Sequence, residues 1–176
     1  VEKSTLLKIA VDGLEPDERH LLQSAAVLGK TFAPRGVAAV GGTDDATLAP
    51  LLASLVRKEM LVLDSDPRSP ERGQYGFVQA LIQRVAYETL SRHDRKAKHL
   101  AAAAYLSEQS GIDADEIAEV IAAHLLDAYR AAPEADDAAE IKASAREWLA
   151  RAAERAAALA APEDAQRAFE SAAELA

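Results

Sequence analysis

The chain has 176 residues, 49% apolar and 28% charged, with a net charge of −9 and no cysteine. Such a composition builds a packed core and excludes a disordered chain or a disulfide framework, and no apolar run approaches the roughly 20 residues that a membrane-spanning helix needs. Residues 1–100 hold 14 basic and 13 acidic groups whereas residues 101–176 hold 6 and 16, so the second part repels a polyanion and nucleic acid is not an expected partner there. No basic segment followed by an apolar one marks export, and the cytoplasm is the expected location, with no membrane partner.

Leu14-Glu15-Pro16-Asp17-Glu18 opens the first helix that the sequence marks: proline suits the first helical position, and the acidic pair complements the positive helix end. Leu21, Leu22, Ala25, Val27 and Leu28 give it an apolar stripe, and Gly29 offers a left-handed stop. A shorter helix is predicted from Pro34 to Gly41-Gly42, and a third from about Thr47 to Met60, with Leu48, Leu51, Leu52, Leu55 and Val56 on one face and Pro50 limiting where it can start. The period then changes. Leu61–Leu63 and Tyr75–Val78 read as a two-stranded hairpin with a long tip, Asp64–Gly73, rich in turn residues. Three short helices followed by a hairpin is the order of a winged helix.

Everything after Val78 reads helical: Ala80–Leu90, then Asp94–Gln109 ending near Gly111, then a helix opened by the capping box Asp113-x-x-Glu116 and ended by Pro133. Two more follow, about Ala138–Ala160 and Glu163–Leu175, broken at Ala161-Pro162. Residues 101–176 hold 29 of the 41 alanines, which makes close helix approach the packing mode there. Ala165, Phe169 and Ala172 match the small-large-small face of a tetratricopeptide-type (TPR) repeat helix; the partner helix matches less well, with Leu149 where a Trp is common and Ala153 where a Gly or Ala lies. A Phe169 buried between repeat helices would cost on the order of 3 kcal/mol to truncate to alanine. The fold class is therefore mainly α: a winged-helix-like domain with a small β-hairpin over residues 1–106, then TPR-like antiparallel helices over 107–176 that begin a repeat array. The chain's end without a stop signal is read as a truncation.

Candidate chemistry is sparse. Gly29-Lys30-Thr31 looks like the end of a phosphate-binding loop, but Ser24 stands where that loop needs a glycine, and a helix precedes instead of a strand. His93 and His99, six apart, fall on different helix faces, and with no cysteine no metal site is expected. His124 on an apolar face reads as a buried, hydrogen-bonded histidine. No nucleophile elbow is present and no catalytic residue is assigned. Arg84, Arg92, Arg95, Lys96 and Lys98 form one basic cluster bordering the hairpin tip with Arg68 and Arg72. Of these, Arg68, Arg72, Arg84, Arg92 and Arg95 are the candidate phosphate or domain contacts. The third helix carries Asp44 and Asp45 at its start, leucines after, and only Arg57 and Lys58 late, with no Asn or Gln to read adenine.

The stretch from Tyr75-Gly76-Phe77-Val78-Gln79-Ala80 through Val85-Ala86-Tyr87-Glu88-Thr89-Leu90, with Arg95 and His99 beyond it, resembles the segment after the ATPase core of STAND-type signalling ATPases. These are bacterial proteins often fused to adenylate cyclase or LuxR-type DNA-binding domains. Leu14-x-Pro16-x-Glu18-Arg19-x-Leu21-Leu22 and Ala25–Gly29 resemble the start of their winged-helix domain, and the likeness covers about residues 12–106. It implies a non-catalytic regulatory fragment of a larger signalling ATPase. The winged helix would act as a latch on an upstream nucleotide-binding domain, and the repeats as a scaffold for protein partners. ATP or ADP is implied for the parent and no cofactor for this segment. In that family a Met-His-Asp-like motif senses ADP; the corresponding triplet here is Val78-Gln79-Ala80, which makes Gln79 the nucleotide-sensing candidate, with an amide that can donate but not become cationic. The alternative is a winged-helix DNA-binding transcriptional regulator with a helical effector or dimerisation domain.

Overall fold

A helix precedes the first one that the sequence marks. In the computed structural model, which describes residues 2–110 and 115–175, α1 spans Glu2–Asp12. Its apolar residues lie on two sides: Val11 is buried and Leu7 packs on the core, while Leu6 and Ile9 face solvent. That split blurs the helical period in the sequence. α2 runs over Pro16–Leu28 with Pro16 in its first turn, and the Glu18 carboxylate accepts the Glu15 N–H at 3.1 Å. Leu21, Leu22 and Ala25 are fully buried, which makes α2 the central helix of this part.

Gly29 ends α2 differently from the expected left-handed stop. Its φ of 124° and ψ of −156° are an extended conformation open only to glycine, and they lead the chain into a short strand, β1, at Thr31–Phe32. α3 follows at Pro34–Gly41 and closes on a left-handed Gly42. α4, Asp45–Arg57, starts two residues before the expected Thr47, because Asp44 caps it by accepting from the Thr47 backbone N–H at 2.9 Å and hydroxyl at 2.8 Å. Pro50 is accommodated inside the helix.

The strands β2 (Leu61–Leu63) and β3 (Tyr75–Phe77) lie where the sequence put its hairpin. β1 adds to the free side of β3, so the sheet has three strands in the order β1-β3-β2, all antiparallel. Leu61 lies opposite Phe77, and Phe32 opposite Tyr75. Leu61, Phe77 and Phe32 bury one sheet face in the core. Two-residue strands carry too little alternation to be read from sequence. α5, Ala80–Glu88, completes this core with Ile82, Val85 and Ala86.

The remaining helices are α6 (Arg92–Ser110), α7 (Ala118–Ala131), α8 (Ala138–Ala158) and α9 (Pro162–Glu174). Each packs on the next. The chain divides into two compact units at Ser91/Arg92. The sequence drew the border after residue 106, but all of α6 belongs with α7. Among the described residues the chain is 73% helix with one small antiparallel sheet, and no helix is long and apolar enough to cross a membrane. Of the capping box Asp113-x-x-Glu116, Asp113 lies outside the described residues; Asp115–Ile117 form a tight turn ahead of α7.

Alanines fill the second unit's helix contacts as the composition predicts. Ala122, Ala128, Ala145 and Ala153 are fully buried, and Leu149 is 5% exposed. Phe169 departs from expectation. It is 49% exposed, while Ala165, Ala168 and Ala172 form the buried face of α9. The buried stripe therefore runs through residue 168, one position from the aromatic, so truncating Phe169 would leave no deep cavity.

Candidate functional site

The junction of β3 and α5 is held from three sides. The Phe77 N–H donates to Lys30 O at 3.3 Å and the Val78 N–H to Met60 O at 3.2 Å. Beyond them, Gln83 Nε2 donates to Ala26 O at 3.2 Å, and Gln23 Nε2 to the Thr89 hydroxyl at 2.9 Å, which locks α5 onto α2. Gln79 sits on this rigid base as the N-cap of α5, with φ −137° and ψ 138°. Its backbone carbonyl accepts from the Ile82 N–H at 3.0 Å. Its side chain makes no cap bond and is exposed beside the half-exposed Val78 at the positive end of α5.

Arg68 and Arg72 lie on the β2–β3 loop, which is built around two aspartates. Asp64 accepts from the Asp66 N–H at 3.0 Å and from the Ser69 hydroxyl. Asp66 accepts from the Arg68 N–H at 2.9 Å and pairs with its guanidinium at 3.3 Å; these bonds hold the Asp66 carboxyl below the usual range. Both arginines are exposed, as is Arg84 on α5.

The four cations at the start of α6, Arg92, Arg95, Lys96 and Lys98, do not form one basic face. The helical period distributes them around α6. Arg92 donates to Ala131 O at 2.9 Å and pairs with Glu134 at 3.4 Å, and Lys96 pairs with Asp137, so both tie α6 to the segment between α7 and α8. Arg95 is half-buried. Lys98 is 6% exposed, and burial lowers its pKa against the opposing pull of Asp94.

Two buried polar groups were not legible beforehand. Glu18 accepts from Ser54 Oγ at 2.5 Å and Lys58 Nζ at 2.6 Å; these partners, Lys58 foremost, hold its carboxyl below the usual range. In sequence Glu18 shows only as a helix-start acid, and its partners lie 36 and 40 positions away. In the second unit His99 and His124, 3% and 8% exposed, meet Nδ1 to Nδ1 at 3.0 Å. The sequence anticipated a bonded His124 but not its partner. Burial pushes His99 down to about 4, helped by the charge of His124 and Arg95 and opposed by Asp127. His124 is lowered by burial, again against Asp127. One ring donates and the other accepts, so the bond survives the first proton and is lost once both rings are protonated.

Gly29-Lys30-Thr31 forms the lead into β1. Among the described residues no three His, Cys, Asp or Glu side chains gather as metal ligands. Three open cavities stand out: about 460 Å³ over the sheet, lined by Thr31, Val62, Tyr75 and Gly76 among others; about 230 Å³ among Glu116, Arg155, Asp164 and Arg167; and about 220 Å³ beside His20 and Asp44. His20 Nε2 is already bonded to Gly41 O at 2.8 Å in the last of these. No protein-family model, curated protein or solved structure matches the chain.

Proposed function

We propose that the chain is a regulatory, non-catalytic part of a STAND-like signalling ATPase, with its first unit a winged-helix latch and its second a helical-repeat scaffold for protein partners. The observation that carries this reading is the order α2-β1-α3-α4-β2-β3 with the sheet sequence β1-β3-β2. A winged helix has its helices and hairpin in this order, which supports the reading, and the family-like segment Tyr75–Leu90 spans β3 and α5. Gln79, exposed at the start of α5 on a braced junction, would be the residue that donates to a phosphate carried by another domain. Four helices packed each on the next, with alanine at their contacts, suit a repeat scaffold. The latch would work by docking on or leaving the nucleotide-binding domain, an equilibrium biased by ADP.

The DNA-binding alternative is weakened by α4. Its exposed face carries Asp45, Ala46, Thr47, Ala49, Pro50 and Ala53 before the first cation at Arg57, and the Thr47 hydroxyl is already bonded to Asp44, which leaves little to read base edges. Titration calorimetry tests the proposal. ADP gives no heat with this chain alone and binds a longer chain that includes the nucleotide-binding domain, more weakly after Gln79→Ala. Tight ADP binding by this chain, or salt-dependent duplex binding lost on replacing Arg68 and Arg72, would overturn it.

A further inference from the structure

His99 on α6 and His124 on α7 are both buried, with ring centroids 5.3 Å apart, planes tilted by 44° and the two Nδ1 atoms 3.0 Å from each other. An approach this close needs a hydrogen between the nitrogens, so one ring carries its hydrogen on Nδ1 and the other, the acceptor, on Nε2. A first added proton goes to Nε2 of the donor ring. The Nδ1 hydrogen then stays where it is, and the bond becomes charge-assisted and stronger. A second proton enters at Nδ1 of the acceptor, which sets the N–H groups of two cations head to head.

The surrounding charges favour one positive charge here and not two. Asp127, one turn after His124 on α7, favours protonation of both rings, and Arg95, one turn before His99 on α6, opposes it at His99. Asp127 is also paired with Arg130 at 3.3 Å. Lys98, beside His99, is itself buried, with Asp94 favouring its charge, and Asp137 at the head of α8 is engaged by Lys96. α8 brings Ile141 and Ala145 to the core that α7 fills with Ile121 and Leu125 and α6 with Ala103. In the packed series α6-α7-α8-α9, α6 is an end member. Repulsion between α6 and α7 therefore acts on a helix whose departure leaves the α7–α8 and α8–α9 contacts in place.

We propose that His99 and His124 form a proton-operated catch between α6 and α7: it stays closed with up to one added proton and opens when both rings are cations, so that α6 leaves while α7, α8 and α9 stay packed. Burial makes the catch respond to acid, because the separated rings are hydrated and take up protons that the closed pair resists. Locality sets it apart from ordinary acid unfolding: only the α6 contacts with Ile121 and Leu125 of α7 are given up. The catch lies in the second unit and is independent of the latch proposed for the first, so the two can fail separately.

The test is amide hydrogen exchange of the whole chain, expressed as protection relative to the intrinsic rate at each pH and repeated in low urea. Between pH 6.5 and 4.5 the protection of the α6 amides around His99 should fall by roughly tenfold or more, the proton linkage of a buried ring. At pH 4.5 it should lie about tenfold or more below that of α8 and respond less to urea, because a local opening exposes less surface than unfolding of the whole unit. His99→Leu/His124→Leu should remove the fall with pH. Asp127→Asn, at a partly exposed position, should match the wild type at pH 7 and lower α6 protection at pH 4.5 by about threefold, since the protonated pair loses its counter-charge; it keeps the test open if the leucine variant fails to fold. Protection of α6 that is flat with pH, or a fall that survives in the leucine variant, would overturn the proposal. So would equal protection and urea response in α6 and α8, which is unfolding of the whole unit, or Asp127→Asn that leaves α6 protection at pH 4.5 unchanged or higher.

Discussion

Glu59 and Ala160 each hold φ at 56°, a left-handed backbone that costs an L-residue with a Cβ about 1–2 kcal/mol. Each follows a helix end in the position where glycine is common. The next N–H reaches back into the helix, from Met60 to Leu55 O at 3.0 Å and from Ala161 to Ala156 O at 2.9 Å. Glycine removes the strain and adds back some unfolded-state entropy, so Glu59→Gly and Ala160→Gly should each raise stability by about 0.5–1 kcal/mol in urea melts; no gain would show that the strain is not there. The His99–His124 pair makes the opposite kind of demand. Its folded pKa values lie below the unfolded value of 6.5, so the unfolded state takes up protons first as pH falls. For His99 the stabilisation is full above pH 6.5 and is lost as pH drops through about 4, a change of up to about 3 kcal/mol, and His124 shifts in the same direction. Asp137, whose carboxyl is held below its ordinary 3.8 by Lys96, titrates beneath that window. Trp148, the chain's single tryptophan, lies in the second unit and reports its urea midpoint. That midpoint should fall between pH 7 and 4.5, and the fall should vanish in His99→Leu/His124→Leu. A wild-type midpoint flat over that range would show the rings are not buried neutral.

Among the elements, α9 distinguishes what the sequence reveals from what packing decides. Its residues 165 and 172 lie on the buried face as the spacing said, but Ala168 and not Phe169 completes that face. The small residues are the tight contacts: Ala172 packs with Ala122 and Leu149. Enlarging it, Ala172→Leu, should therefore cost about 1–3 kcal/mol, whereas Phe169→Ala should cost less than about 1 kcal/mol, because half its surface is already in water. A larger loss for the phenylalanine than for the overpacked alanine, followed by Trp148 fluorescence, would reverse this assignment. The same logic explains the rest of what was legible. Helices with a clean stripe, such as α2 with Leu21, Leu22 and Ala25, appear in the sequence near their true bounds. α1 was hidden by Leu6 and Ile9 on its wet side, and β1 by its two-residue length. At the candidate site the hairpin could be placed from residue order, whereas Gln79 was singled out only through the family resemblance, and the pairing of β1 with β3 could not be seen.

At the scale of the molecule the charge is divided along the same line as the contacts. Residues 1–91 carry 10 basic and 12 acidic groups, and residues 92–176 carry 10 and 17, so excess negative charge accumulates on the helical unit. The ion pairs within that unit, such as Arg151–Asp115 at 2.5 Å and Arg155–Glu116 at 3.0 Å, join partly exposed partners, and each contributes at most about 1 kcal/mol. They act at contact distance, where salt screens them incompletely, while repulsion among the surplus carboxylates acts over a Debye length of about 10 Å at 0.1 M and is screened in full beyond it. Raising salt should therefore remove more repulsion than attraction in the second unit. Its melting temperature, read from Trp148, should rise by roughly 2–5 °C between low salt and 0.3 M sodium chloride, equivalent to under about 1 kcal/mol for a unit of this size. Hydrogen exchange of the α2 amides in the same intact chain should change far less, because the first unit has little net charge to screen. A second unit that melts lower in salt would mean that its contact pairs outweigh its surplus charge, and an α2 response of equal size would mean that the salt acts on something other than this asymmetry.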